Sequence, residues 1–293
     1  LKKLHTDFSV HTVVCQPDKP VGREKKIIYS EVKNFALKAN LNILQPEKIK
    51  NNEAFLSELR KINPDFIFVA AYGKILTNDI LNIPKFGCIN VHSSLLPKYR
   101  GAAPINWSII NGDKETGVTI MEMDEGMDTG NIILSKKIAI AESDNVTSLT
   151  EKLASCGCDA IGEFVQKFLK TRSIDSKPQD NSLASIAPKI DKEKCKIDWS
   201  EKSFDILNLI RGSNPWPGAT TTLFKNKITI WEAKNAGPAL AKPGSIKKIE
   251  KKMFVSCKDN EIEIIKIQKS GKNVMDGKNF INGIILDKET CFN

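Results

Sequence analysis

The sequence predicts a doubly wound α/β domain with a mostly parallel sheet, followed by a small C-terminal β-barrel. Three observations predict it. In the first half, short apolar runs alternate with amphipathic helical segments, the pattern of a sheet covered by helices. The run 65–71 (DFIFVAA) is apolar on both faces, as in a parallel strand buried from both sides. Beyond Gly218 the pattern changes to short strands separated by turn residues, which is how a small barrel reads.

The elements follow in order. Residues 9–15 read as a strand, and 30–39 as a helix with Ser30 as its N-cap. A second helix over 51–62 carries Phe55, Leu56 and Leu59 on one side. Strands at 65–71 and 87–91 lead to a helix over 104–111, a longer antiparallel pair at 118–123 and 130–140, and a helix over 147–170. From 171 to 188 Ser, Asp, Lys, Pro, Gln and Asn dominate and the pattern stops, as in a connecting segment. A short helix (203–211) precedes Asn214-Pro215-Trp216-Pro217-Gly218, and strands are expected at 220–224, 227–233, 244–249, 253–257 and 262–268. The domain limits are then 1–186 for the α/β domain, 187–202 for a linker and 203–293 for the barrel. Trp199, Trp216 and Trp231 read as barrel core. The first residues resemble the tail of a helix, so the buried strand that opens such a domain is expected to precede Leu1.

Composition narrows the functional classes. At 293 residues with 41% hydrophobic content, the chain can build real cores and is not a disordered protein. No apolar run approaches the roughly 20 residues of a membrane helix, and the polar opening residues do not read as a secretory signal. The seven cysteines (Cys15, Cys88, Cys156, Cys158, Cys195, Cys257 and Cys291) are scattered without a Cys-x-x-Cys pair, which argues against zinc and for a reducing, cytoplasmic setting. The net charge is +9, unevenly spread: residues 189–293 hold 20 Lys and Arg against 13 Asp and Glu, the rest 24 against 22. A basic C-terminal third on a near-neutral remainder points to a polyanionic partner, nucleic acid first.

Chemistry concentrates at two strand ends. An apolar strand carries Asn90 and His92 into Ser93 and Ser94, then breaks at Pro97 and Gly101. Asn90 and His92 are two apart and share one face of that strand. Downstream, 123–130 (MDEGMDTG) ends another strand in acid and glycine, offering Asp124, Glu125 or Asp128. An Asn, a His and an acid on two strand ends can stabilise an oxyanion and move a proton. A third feature is a Pro- and Gly-bounded loop bearing Lys19, Arg23, Lys25 and Lys26, which could reach a phosphate backbone.

Taken together, His92-Ser93-Ser94-Leu95-Leu96-Pro97, Arg100-Gly101-Ala102-Ala103-Pro104-Ile105, Met127-Asp128-Thr129-Gly130, the basic loop, Ile197-Asp198-Trp199 and Asn214-Pro215-Trp216-Pro217 resemble the folate-dependent formyltransferases, in particular those acting on methionyl-tRNA. The resemblance implies a Rossmann-like catalytic domain, an OB-like C-terminal domain that binds tRNA, and a monomeric cytoplasmic enzyme of bacterial or organellar type. It implies transfer of a formyl group from 10-formyltetrahydrofolate, without a metal, to the α-amino group of methionyl initiator tRNA. By the same resemblance Asn90, His92 and Asp128 are catalytic. Ser94, Leu95, Leu96, Pro97, Tyr72 and Gly73 contact the folate, and Lys19, Arg23, Lys25 and Lys26 contact the tRNA. Two departures stand out: Ser93 occupies a usual glycine position, and the family's first strand with its following loop is absent. Two alternatives remain: a formyltransferase acting on a small amine, such as an amino sugar nucleotide or purine precursor, and an inactive tRNA-binding relative.

Overall fold

The computed structural model describes residues 1–21, 26–287 and 290–292. Helix α1 (Lys2–Asp7) leads to β1 (Thr12–Val14), β2 (Lys19–Val21), β3 (Lys26–Ile28), α2 (Glu31–Lys38), β4 (Asn42–Leu44), α3 (Glu53–Ile62), β5 (Ile67–Val69), α4 (Asn78–Leu81) and β6 (Cys88–His92). Then come α5 (Pro104–Ile110), β7 (Glu115–Glu122), β8 (Ile132–Ala139), α6 (Val146–Thr171) and α7 (Ser203–Gly212). The C-terminal elements are β9 (Ala219–Leu223), β10 (Asn226–Pro238), β11 (Ile246–Ile249), β12 (Lys252–Ser256), β13 (Asn260–Lys269), β14 (Met275–Asp276) and α8 (Gly277–Asn282).

Two compact units interleave along the chain. The first comprises Leu1–Arg100, Gly117–Lys136 and Ala154–Ser185; the second comprises Gly101–Thr116, Lys137–Leu153 and Ile186–Asn293.

In the first unit β1 pairs with β4 in parallel, and β5 pairs in parallel with β6, Val69 lying beside Asn90. The strand order of the second sheet is β5-β6-β7-β8, with β6 and β7 antiparallel and His92 opposite Thr119. Ser30 caps α2 as expected, its hydroxyl accepting from the Lys33 amide at 3.2 Å. Phe55, Leu56 and Leu59 of α3 are buried with Ile49, Leu76, Ile80 and Cys88. Phe164 and Phe168 of α6 meet Phe66 edge-on, with ring centroids 5.6 and 4.8 Å apart. Lys19 and Lys26 belong to the antiparallel pair β2–β3, where the sequence suggests only a loop. Arg23, Lys25 and the Lys26 side chain lie outside the described residues.

The second unit centres on a six-stranded antiparallel sheet of order β11-β12-β13-β10-β9, with β14 on β13. Register shifts between Ile230 and Ala233 and between Asn235 and Gly237 bend the long β10 and let the sheet coil. Its core holds Ile228, Ile230, Met253, Val255, Ile262, Ile264 and Ile267. The segment 187–202, expected as a linker, is packed chain. Ile190, Cys195, Ile197 and Trp199 are buried, and Lys196 bridges to Thr220. The polar residues between these apolar ones hide their spacing from a compositional reading. Trp199 stacks on Phe292 at 5.3 Å, whereas Trp216 is 56% exposed and is not core.

Candidate active site

The carboxyl ends of three parallel-paired strands supply one wall of the site. Gln16, just after β1, donates from Nε2 to the Tyr72 carbonyl at 2.8 Å, and Tyr72 lies just beyond β5. Asn90 and His92 lie on the last three residues of β6. Open α/β sheets bind their ligands at such strand ends.

Asp128 arrives from the turn after β7 and meets both neighbours with one oxygen. Asn90 Nδ2 donates to Asp128 Oδ1 at 3.4 Å, and His92 Nδ1 lies 3.6 Å from the same atom. The structure therefore gathers all three predicted catalytic residues. Asp124 is committed elsewhere, accepting from Thr129 Oγ1 at 2.7 Å and from the Gly126 amide at 3.0 Å; Glu125 accepts from Asn78 at 2.6 Å. Asp128 sits at φ 56°, in the left-handed region that, after glycine, Asp and Asn occupy most readily.

The other ring nitrogen of His92 is also engaged. Nε2 lies 2.9 Å from the Tyr99 carbonyl oxygen, which can only accept, so Nε2 carries a hydrogen and Nδ1 is the nitrogen facing Asp128. Tyr99 turns that carbonyl inward from the left-handed region, at φ 62°. His92 is only 6% exposed. Cys88, two residues before Asn90, is a packing thiol: burial pushes it up to about 12, far from a reactive thiolate.

The 94–97 stretch divides into two roles. Ser94 is wholly buried and donates to the Lys98 carbonyl at 2.6 Å, and Leu96 is buried as well. Leu95 and Pro97 keep partial exposure and can offer an apolar surface to a ligand. Ser93 is outside the left-handed region, so a serine is tolerated where the resemblance suggests glycine. Tyr72 has a buried hydroxyl with no hydrogen-bond partner, and burial raises its phenol above the ordinary value. Gly73 follows at φ 72°, within 3.3 Å of Gln16 Nε2 at the position a Cβ would take.

Three contributors have no assigned role in the sequence, although Arg100 stands in the motif that carries the resemblance. Thr119, fully buried on β7, donates to the Ser94 carbonyl at 2.7 Å and accepts from the Leu96 amide at 3.1 Å, which ties the 94–97 turn to the sheet. A hydroxyl within an apolar strand was the available signal. Arg100 and Gln179 form a bonded pair behind Asp128, and nothing local marks Gln179 within its polar run.

Two family models match the chain: formyl transferase over residues 1–165, and the formyl transferase C-terminal domain over 189–284. A methionyl-tRNA formyltransferase of Caldanaerobacter subterraneus subsp. tengcongensis is 46% identical over 97% of this chain and 92% of its own length. One from Thermodesulfovibrio yellowstonii is 45% identical over 92% of this chain and 87% of its own. The chain belongs to the methionyl-tRNA formyltransferase family. A solved N-formyltransferase of Helicobacter canadensis, in complex with folinic acid and dTDP-3-aminofucose, shares the fold at TM-score 0.66 and 21% identity, covering 92% of this chain and 93% of that one. Formyltransferases draw on folate-derived formyl donors.

Lys19 is exposed on β2. Among the described residues no cluster of three or more His, Cys, Asp or Glu could hold a metal, and no helix is long and apolar enough to cross a membrane.

Proposed function

We propose that Asn90, His92 and Asp128 carry the transfer of a formyl group from 10-formyltetrahydrofolate to the α-amino group of methionine on initiator tRNA. The single observation that supports it most is the Asp128 carboxylate oxygen shared between the Asn90 amide and His92 Nδ1. Tyr72, Gly73, Leu95 and Pro97 would line the donor. The unpartnered Tyr72 hydroxyl suits a ring with polar edges, and the two apolar side chains suit its faces.

The donor supplies a formyl carbon bonded to a nitrogen that departs as an amine. The methionine amine attacks that carbon with its lone pair, and the carbonyl pair moves onto oxygen. Asn90 Nδ2 has two hydrogens; one faces Asp128 and the other can hold the developing oxyanion. Asp128, in exchange with His92 Nδ1, takes the proton from the attacking nitrogen and returns it to the departing one, which keeps the electron pair of the broken bond. Tyr99 holds Nε2 throughout, so the ring exchanges protons on one side only. Distances of 3.4 and 3.6 Å are long for working hydrogen bonds, and such bonds commonly tighten when substrate binds.

Lys19, Arg23, Lys25 and Lys26 would meet the acceptor end of the tRNA, with the basic C-terminal unit adding backbone contacts that weaken as salt rises. A small amine acceptor has no use for either feature, and an inactive relative has none for an assembled Asn-His-Asp group. The bacterial cytoplasm is the setting.

The experiment is transfer of labelled formyl from 10-formyltetrahydrofolate to charged initiator methionyl-tRNA, with elongator methionyl-tRNA as control. Label should appear on the initiator alone. Asn90→Ala, a lost oxyanion donor, and His92→Ala, a lost proton-transfer partner, should each lose at least about 100-fold in kcat. Near-normal turnover in either variant would sink the residue assignment.

A further inference from the structure

We propose that Gln179 is a positioning residue for the reaction, holding the backbone of the Asp128 turn against the loop that anchors His92. The inference rests on the reading of Asp128 as catalytic.

Its geometry is a complete use of one side-chain amide. Gln179 Nε2 donates to the Asp128 carbonyl at 2.9 Å and to the Gly130 carbonyl at 2.7 Å. Its Oε1 accepts from Arg100 Nε at 3.0 Å and from Arg100 Nη2 at 2.7 Å. The opposite amide orientation would face an N–H toward a guanidinium and an oxygen toward two carbonyls, so only one orientation satisfies the group.

Arg100 is itself fixed. It is 7% exposed, its Nη2 also reaches Asn181 Oδ1 at 2.8 Å, and its backbone amide donates to the Ser185 carbonyl at 2.9 Å. Arg100 directly follows Tyr99, whose carbonyl holds His92 Nε2. Gln179 therefore links the two loops that converge on the His92–Asp128 pair. The segment that carries it is strapped down at its start, where Lys177 and Ile132 exchange backbone hydrogen bonds of 2.8 and 2.9 Å. By holding the Asp128 and Gly130 carbonyls, Gln179 fixes the left-handed turn that aims the Asp128 carboxylate. The polar run 171–188, which reads as a connection, includes the support of the site.

The test measures kcat and KM for both substrates, with thermal melting, in Gln179→Ala, Gln179→Glu, Asp128→Asn and the double variant Asp128→Asn/Gln179→Ala. Gln179→Ala should lower kcat by up to about 100-fold, the scale of a small misplacement at a reacting centre, with KM for donor and tRNA near wild type. Gln179→Glu keeps an acceptor for Arg100 but removes the donors to both carbonyls. It should lose kcat likewise; its charge pair with Arg100 offsets part of the repulsion between a carboxylate oxygen and the two carbonyls, so it should melt above Gln179→Ala, and it carries the test if the alanine variant folds poorly. In the Asp128→Asn background the Gln179→Ala loss should largely disappear, since the two act as one unit. Wild-type kcat in both Gln179 variants, or a full multiplicative loss in the double variant, would overturn the positioning role. Wild-type turnover in Asp128→Asn would instead overturn the catalytic reading, and the positioning role with it.

Discussion

Asp128 and Asp144 are both largely buried acids, yet their surroundings differ in kind. Asp144, in the second unit, accepts from the Ala141 amide at 2.7 Å, Ser148 Oγ at 2.8 Å and Lys152 Nζ at 2.7 Å. Asp128 has long approaches of 3.4 and 3.6 Å to Asn90 and His92 and a left-handed backbone. The contrast extends to the regions around them. At the end of β6 the buried set includes His92, Ser94, Arg100 and Thr119, whereas the C-terminal sheet buries Ile228, Ile230, Met253, Val255 and Ile262. The first region spends stability on chemistry, and the second supplies it.

The largest expected effects separate these regions cleanly. His92→Ala should lose at least about 100-fold in rate, the scale of a lost proton-transfer partner, with only a modest fall in melting temperature from the buried ring and its bond to Tyr99. Ile230→Ala, at a fully buried position, should lose about 2–5 kcal/mol in urea unfolding, with kcat per folded molecule unchanged. A His92→Ala that keeps near-normal turnover per folded molecule, or an Ile230→Ala that folds normally but turns over slowly, would break the division. Gly130→Ala should sharpen it by failing on both counts. A Cβ there would lie 2.0 Å from the Glu122 carbonyl oxygen, so the turn must shift, at about 1–3 kcal/mol and with a loss of kcat.

The smallest effect concerns Asp144. Burial alone would raise its carboxyl, but the bonds from Lys152, Ala141 and Ser148 outweigh that and hold it below the usual carboxylate value. A carboxyl depressed in the folded state stabilises above its unfolded value and loses that contribution as pH falls through the folded one. Asp144→Asn should therefore cost about 1–2 kcal/mol in urea unfolding at neutral pH, and the gap to wild type should narrow in acid below the usual carboxylate range. A gap that stays constant with pH would mean that the charge of Asp144 contributes nothing.

Most elements were legible because burial leaves a periodic trace. The helix at Glu31–Lys38 begins at the expected Ser30 cap, and the five expected C-terminal strands fall within one or two residues of their limits, apart from the extended end of β10. The short pieces β2, β3, β4 and α4 were not legible, since three or four residues are too few to show a period. The 94–97 turn was legible as a site but not in its division: Ser94 points inward and is spent on Lys98, which no local pattern signals.

By itself the sequence determined the alternation of strands and helices, the basic C-terminal third, and the strand that carries Asn90 and His92. These depend on side-chain spacing and charge, which are local properties. The resemblance singled out Asp128, but the tertiary structure alone decided that one of its oxygens reaches both Asn90 and His92, which nitrogen of His92 is free to exchange a proton, and that a glutamine in a polar run braces the turn. These depend on left-handed backbone positions and on hydrogen bonds spanning dozens of residues, and neither leaves a periodic mark in the chain.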